Sequence, residues 1–295
     1  MLNNFETNNT ENTESQSNDW DMSDVAEFRI PDKSETYEKS EEERNYEARE
    51  RALQDELFLL SDRRANIINN AGEECSQILK RAEHPFANRL QNNFDDLTSG
   101  KKSTGRATLE TFFGYMDAMY PSPYGGKERD PKKVEECEGE YRRFSMREGK
   151  CVADSVDEIA KSFAADGSDL DLYIAQTLRN ISQDTADFGS YFSRAVIAYA
   201  EDPSSENRSR LNRAQSDHEG TVSNSLFNIA TTFDDSRTTI GKKLFDPSVE
   251  LATMITRNSE EYFEGILAYM KFKMGEKSVH GNNSENKVLP DVFLS

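Results

Sequence analysis

Between Glu206 and Met274 the chain carries one row of apolar or small side chains that never loses helical phase. The row runs through Leu211, Gln215, His218, Val222, Leu226, Ile229, Phe233, Ser236, Ile240, Leu244, Pro247, Leu251, Met254, Asn258, Tyr262, Gly265, Tyr269 and Phe272. Every step is three or four residues, which keeps the row on one face of an α-helix. Gln215, His218, Ser236, Asn258 and Gly265 bury little apolar surface, yet the row continues through them. At ~1.5 Å per residue such a helix is roughly 100 Å long, several times the diameter of a compact domain, and it needs partners of equal length.

The rest of the chain supplies candidates. Leu53, Leu57, Leu60, Arg64, Ile67, Ala71, Cys75, Ile78 and Ala82 hold the same spacing. Pro85 kinks or interrupts that helix, and Phe86, Leu90, Phe94 and Leu97 continue the stripe. The polar run from Thr98 to Gly105 reads as a break, followed by an amphipathic piece with Leu109, Phe112, Phe113, Met116 and Met119. Tyr120-Pro121-Ser122-Pro123-Tyr124-Gly125-Gly126 is the strongest turn cluster, and Pro131 suits the first turn of the next helix. Val134, Cys137, Tyr141, Phe144, Glu148, Val152, Ser155, Ile159 and Phe163 then share a face. Ala165-Asp166-Gly167-Ser168 can stop this helix or bend it. Because Leu170, Ile174, Leu178, Ile181, Thr185, Phe188, Phe192, Ala195 and Tyr199 resume the row at once, a kink is expected. Glu201 to Glu206 is a tight polar connection. Residues 131–200 and 206–274 therefore predict a very long αα-hairpin, with residues 40–97 as a third long coil.

Composition limits the partners. The formal charge is -19, and residues 1–50 hold 15 acidic against 5 basic side chains, a net of -10 that leaves -9 for the rest. Phosphates are held mainly by Lys and Arg, so a nucleic-acid partner is not expected. Residues 1–37 are rich in Asn, Ser, Thr and acids and predict a disordered acidic tail, interrupted by an apolar island at Trp20, Met22, Val25, Phe28 and Ile30. Residues 275–295 predict a flexible C-terminal tail, and both tails hold peptides suited to protein partners. Cys75, Cys137 and Cys151 form no metal or disulfide pattern and read as buried thiols of a reducing compartment. No apolar run approaches the ~18 residues of a membrane span, and no signal peptide opens the sequence, so a cytoplasmic chain that meets membranes only peripherally is expected.

Three local stretches resemble BAR domains of the amphiphysin and endophilin type. Phe113 to Tyr120, with Pro121, Tyr124-Gly125-Gly126 and the entry from Val134 to Phe144, is similar to the turn between the first two helices of amphiphysins. Ala186-Asp187-Phe188 with Tyr191 resembles the segment before the arm tip. Pro203 to Glu206, continuing to Ser223-Asn224-Ser225-Leu226-Phe227-Asn228, is similar to the third-helix start in endophilins, and Tyr262-Phe263 falls where an aromatic pair is frequent. The resemblance spans residues 38–274. It implies an all-α fold, a long antiparallel three-helix coiled coil that dimerises into a six-helix crescent. As homodimer or heterodimer with another, more basic BAR chain, such a protein binds, senses or scaffolds curved anionic phospholipid membrane in endocytosis or trafficking. The alternative is a coiled-coil interaction scaffold without membrane binding.

On that reading Arg208, Arg210 and Arg213 are the tip contacts with lipid, Arg179 and Arg194 are the few cations of a concave face, and Lys127, Arg129, Lys132 and Lys133 are weaker contacts beside the Pro/Gly turn. Lys101, Lys102 and Arg106 read as loop charges. Arg142, Arg143, Arg147 and Lys150 alternate with acids as a salt-bridged helix face. His84, His218 and His280 match no triad or metal-ligand spacing, and no phosphate-binding loop is present. An enzyme, a metal site and a cofactor are accordingly not expected.

Overall fold

The computed structural model describes residues 38–84, 86–126, 128–165, 169–236 and 238–275; among these it holds six α-helices and no strand. They are α1 (Glu41–Arg81), α2 (Ala87–Met119), α3 (Pro131–Ala164), α4 (Asp169–Glu201), α5 (Ser205–Asp235) and α6 (Thr239–Lys273). All belong to the unit that begins at Glu41. The chain is all-α, as expected. The tail expected at 1–37 with its Trp20 island, residues 276–295, Pro85, Lys127, Asp166 to Ser168 and Arg237 lie outside the described residues.

Each expected long coil turns back on itself. After α1, Glu83 takes a left-handed φ of 54°, its N–H bonds the Lys80 carbonyl at 3.0 Å, and the His84 N–H bonds that of Leu79 at 2.9 Å. This is a Schellman stop built on a glutamate, with Pro85 next in sequence to prevent continuation. Between α5 and α6 the reversal uses short polar side chains instead. The Ser236 hydroxyl donates to the Phe233 carbonyl at 2.7 Å, and Thr238 caps α6 by accepting from Gly241 N–H at 2.9 Å. At Gly241 a Cβ would come within 2.5 Å of the Phe233 carbonyl, so the turn requires glycine there. Pro247 lies inside α6 without ending it. The other two connections are where the residues placed them: Asp130 caps α3 with Pro131 in its first turn, and Ser204 caps α5.

Side-chain contacts fix the helices as antiparallel neighbours. Gly72 faces Phe94 and Ser61 faces Gly105 across α1 and α2. Asn93 bonds Ser162 and Thr108 bonds the Phe144 carbonyl across α2 and α3. Ser145 reaches Gly189 and Ser182 reaches Ala153 across α3 and α4. Asp184 meets His218 across α4 and α5, and Thr256 meets Ser223 across α5 and α6. Finally α6 closes on α1, with Lys273 on Glu50 at 2.6 Å and Arg63 on Glu261 at 2.7 Å. The result is a ring in which every helix packs on the next and the last on the first.

This corrects the expected three-coil crescent. Residues 145 and 189 are in contact, whereas a merely kinked coil would hold them roughly 60 Å apart at ~1.5 Å per residue. The apolar rows that were expected to need a second copy are covered by the chain's own helices. The expected break at Thr98 to Gly105 is also absent, since α2 is continuous through it. Its glycines serve close packing: a Cβ on Gly100 would come within 2.9 Å of Cys151 Sγ, and one on Gly105 within 2.8 Å of Ser61 Oγ.

Two apolar clusters fill the ring. One, near the α2–α3 and α4–α5 connections, centres on Leu57, Phe112, Tyr115, Val196, Leu211 and Tyr269. The other, near the three reversals, centres on Leu79, Leu90, Ile159, Ile174, Phe233 and Leu244. Each fully buried Leu or Ile contributes about 1.5–3 kcal/mol.

Candidate ligand-binding site

Between the two clusters lies a cavity of about 210 Å³ lined by all six helices. Its two ends are apolar, and its middle is not. Arg64 of α1, Lys101 of α2, Glu148 of α3, Thr185 of α4, Gln215 and His218 of α5 and Tyr262 of α6 all line it. The antiparallel register puts them at one level, because Lys101 touches Glu148, His218 touches Asp184, and Arg64 acts electrostatically on Lys101, His218 and Tyr262. Arg64, Lys101 and Tyr262 are half-buried residues of the cavity wall.

Lys101 and Glu148 form an ion pair at this level. Burial, and then the Arg64 charge, push the Lys101 ammonium below the ordinary lysine range, to about 7, although its Nζ touches the Glu148 carboxylate. Arg64 is in no ion pair among the described residues. Burial lowers its guanidinium, while Tyr262 and Glu219 oppose that shift through space. An arginine keeps its proton even so. Burial also holds the Tyr262 hydroxyl well above the usual phenol range, so it remains a donor.

His218 is positioned from two sides. Its Nδ1 lies 2.5 Å from Asp184 Oδ2, and its ring stacks on Phe188 with centroids 3.9 Å apart. Burial depresses its pKa, the Asp184 hydrogen bond opposes this, and the Arg64 charge adds to the depression. At neutral pH the imidazole is thus uncharged, with Nδ1–H donating to the Asp184 carboxylate and Nε2 left as an acceptor.

No protein-family model, curated protein or solved structure matches the chain. The site is therefore read from its own geometry. Among the described residues no cluster of acids, His and Cys is arranged to hold a metal ion, and no helix is long and apolar enough to cross a membrane. The three cysteines are free, and burial pushes the Cys75 thiol up to about 12, which makes it a poor nucleophile.

The residues expected to meet lipid lie elsewhere. Arg210 pairs with Glu206 at 2.5 Å and Arg213 with Asp217 at 3.6 Å, each on its own helix, while Arg208 is half-buried with its guanidinium over the Tyr199 ring. Arg179 reaches Asp157 of α3 at 3.9 Å, and Arg194 bonds Ser190 and lies over Tyr191. Both sit on α4, whose neighbours α3 and α5 flank it, so they line no concave face of a three-coil arm. Arg129, Lys132 and Lys133 are exposed at the end that carries the α5 start, since the Tyr120 hydroxyl donates to the Ala200 carbonyl at 2.5 Å and ties the two connections together. Glu128, Asp130, Glu135 and Glu136 alternate with them. Lys127 lies outside the described residues.

The residues of the cavity were visible in another form. Arg64, Glu148, Gln215 and His218 are the polar members of otherwise apolar rows, and Lys101 was placed in a break that does not exist.

Proposed function

We propose that the helical unit is a receptor for a small molecule enclosed in its central cavity. A curved membrane-binding surface of the BAR type needs an uninterrupted arm. The folded-back helices offer instead a cavity with apolar ends and a polar middle, the usual make-up of a small-molecule site. The observation that carries this reading is the convergence of polar side chains from all six helices on one level of an apolar interior. An occupant that binds the folded ring and not the unfolded chain raises the stability of the ring by mass action.

The test is thermal denaturation of the full chain with decanol or decanoate, below their micelle concentrations. Either compound should raise the Tm of the wild type and leave Val222→Phe and Leu178→Phe, which fill the cavity, unchanged. Equal shifts in the filled variants would place binding elsewhere. Failure of both compounds to shift the wild type would refute the reading.

A further inference from the structure

Resting on that reading, we infer that the cavity's ligand is an anionic amphiphile, with its charged oxygen group at Arg64 and its aliphatic body directed toward Ile159 and Leu226. Three observations support this. The first is an unpaired charge at the cavity wall: among the described residues Lys101 pairs with Glu148, whereas Arg64 is in no ion pair. Glu219 reaches Arg64 only through space and does not line the cavity. A guanidinium on the cavity wall without an ion pair favours a ligand that brings a negative charge.

The second is donor geometry. A guanidinium offers a planar fork that suits carboxylate or phosphate oxygens. Tyr262 lines the same level and can add a donor, whereas a cationic head would meet Arg64 and Lys101.

The third is the asymmetry of the apolar ends. From the polar level the lining extends along α3 from Glu148 to Ile159 and along α5 from His218 to Leu226. These spans are roughly 16 Å and 12 Å at ~1.5 Å per residue, which suits a medium-length chain. On the other side α3 lines it only to Tyr141, about 10 Å from Glu148, and α5 no further than Gln215, while α2 lines it to Phe112.

The experiment is calorimetric titration of the full chain, below micelle concentrations, with decanoate, decanol, decyltrimethylammonium, acetate and inorganic phosphate. Decanoate should bind at least about tenfold more tightly than decanol, the increment expected of one charge-assisted contact, and the ammonium compound should not bind. Acetate and phosphate should bind at least about tenfold more weakly than decanoate, since they lack the body. Arg64→Met should erase the preference for decanoate while decanol still binds, and Arg64→Lys should restore part of it. If Arg64→Met does not fold, the wild-type series alone decides. Decanol binding as tightly as decanoate would overturn the anion while leaving the cavity reading intact. Acetate or phosphate matching decanoate would overturn the amphiphile. No binding by any compound would remove both.

Discussion

The Ser145 hydroxyl of α3 donates to the Gly189 carbonyl of α4 at 2.8 Å, and a Cβ on Gly189 would come within 2.2 Å of the Ser145 carbonyl oxygen. The two backbones are thus pressed together where both helices wall the cavity. Gly189→Ala should therefore lower stability by about 2–3 kcal/mol, the range of overpacking that the backbone must absorb. Gly114→Ala, in α2 with nothing within 4 Å of the added carbon, should raise it by about 0.5–1 kcal/mol. Urea unfolding of the two variants checks the contrast.

Ring closure depends on Lys273. Its ammonium lies 2.6 Å from Glu50 of α1 and 2.7 Å from Asp117 of α2, with a side chain only 1% exposed. Burial works against this charge, but the hydrogen bonds to Asp117 and Glu50 outweigh it and hold the ammonium above the ordinary lysine range. Lys273→Met strands Glu50 beside its buried end and should cost about 2 kcal/mol, less than a fully buried pair because Asp117 is half exposed. In a Glu50→Gln background the same substitution should cost less, and a double-mutant cycle in urea measures the difference.

Glu83 holds a left-handed backbone that side chains other than glycine adopt at a cost of about 1 kcal/mol. Glu83→Gly should accordingly stabilise the chain by up to about 1 kcal/mol, and Glu83→Val should destabilise it. Tm values of the two variants should fall on opposite sides of the wild type.

Stability should also depend on the protonation of His218. The groups acting on it are Asp184 from α4, Arg64 from α1 and Lys101 from α2. Because its folded pKa lies below the value of the unfolded chain, the unfolded state takes up the proton first as pH falls. The stability His218 contributes is therefore present above about pH 6.5 and is lost as pH drops through and below that value. His218→Gln should flatten this part of the profile, as read from Tm between pH 8 and pH 5.

Most of the helices were legible in the sequence because apolar periodicity is a local signal. The Tyr120–Asp130 and Asp202–Ser204 connections were legible too, through Pro, Gly and capping residues. The reversals were not. A row that faces the core before and after a turn keeps its phase, so a folded coil and a straight one have the same pattern at Gly167 or Ser236. The turn at Ser236 and Thr238 has no Pro, and the glycine it requires, Gly241, stands beyond it in the first turn of α6; its cost is met by packing α5 on α6, which only the tertiary structure shows. The glycines at 100 and 105 misled in the opposite direction, since close helix packing and chain reversal both select glycine. The site was half legible: Arg64, Glu148, Gln215 and His218 interrupt three different stretches of apolar periodicity. Their meeting at one level follows only from a register that the sequence does not display.

The most direct measurement is a methyl spectrum of the full chain, labelled at Ile, Leu and Val, recorded with and without decanoate. The account predicts shifts at Val152, Ile181, Val222 and Leu226, which line the cavity, and little change at Leu59 and Leu172, which are exposed outside it. Shifts confined to Leu59, Leu172 and other outer methyls, with the cavity methyls unmoved, would contradict it.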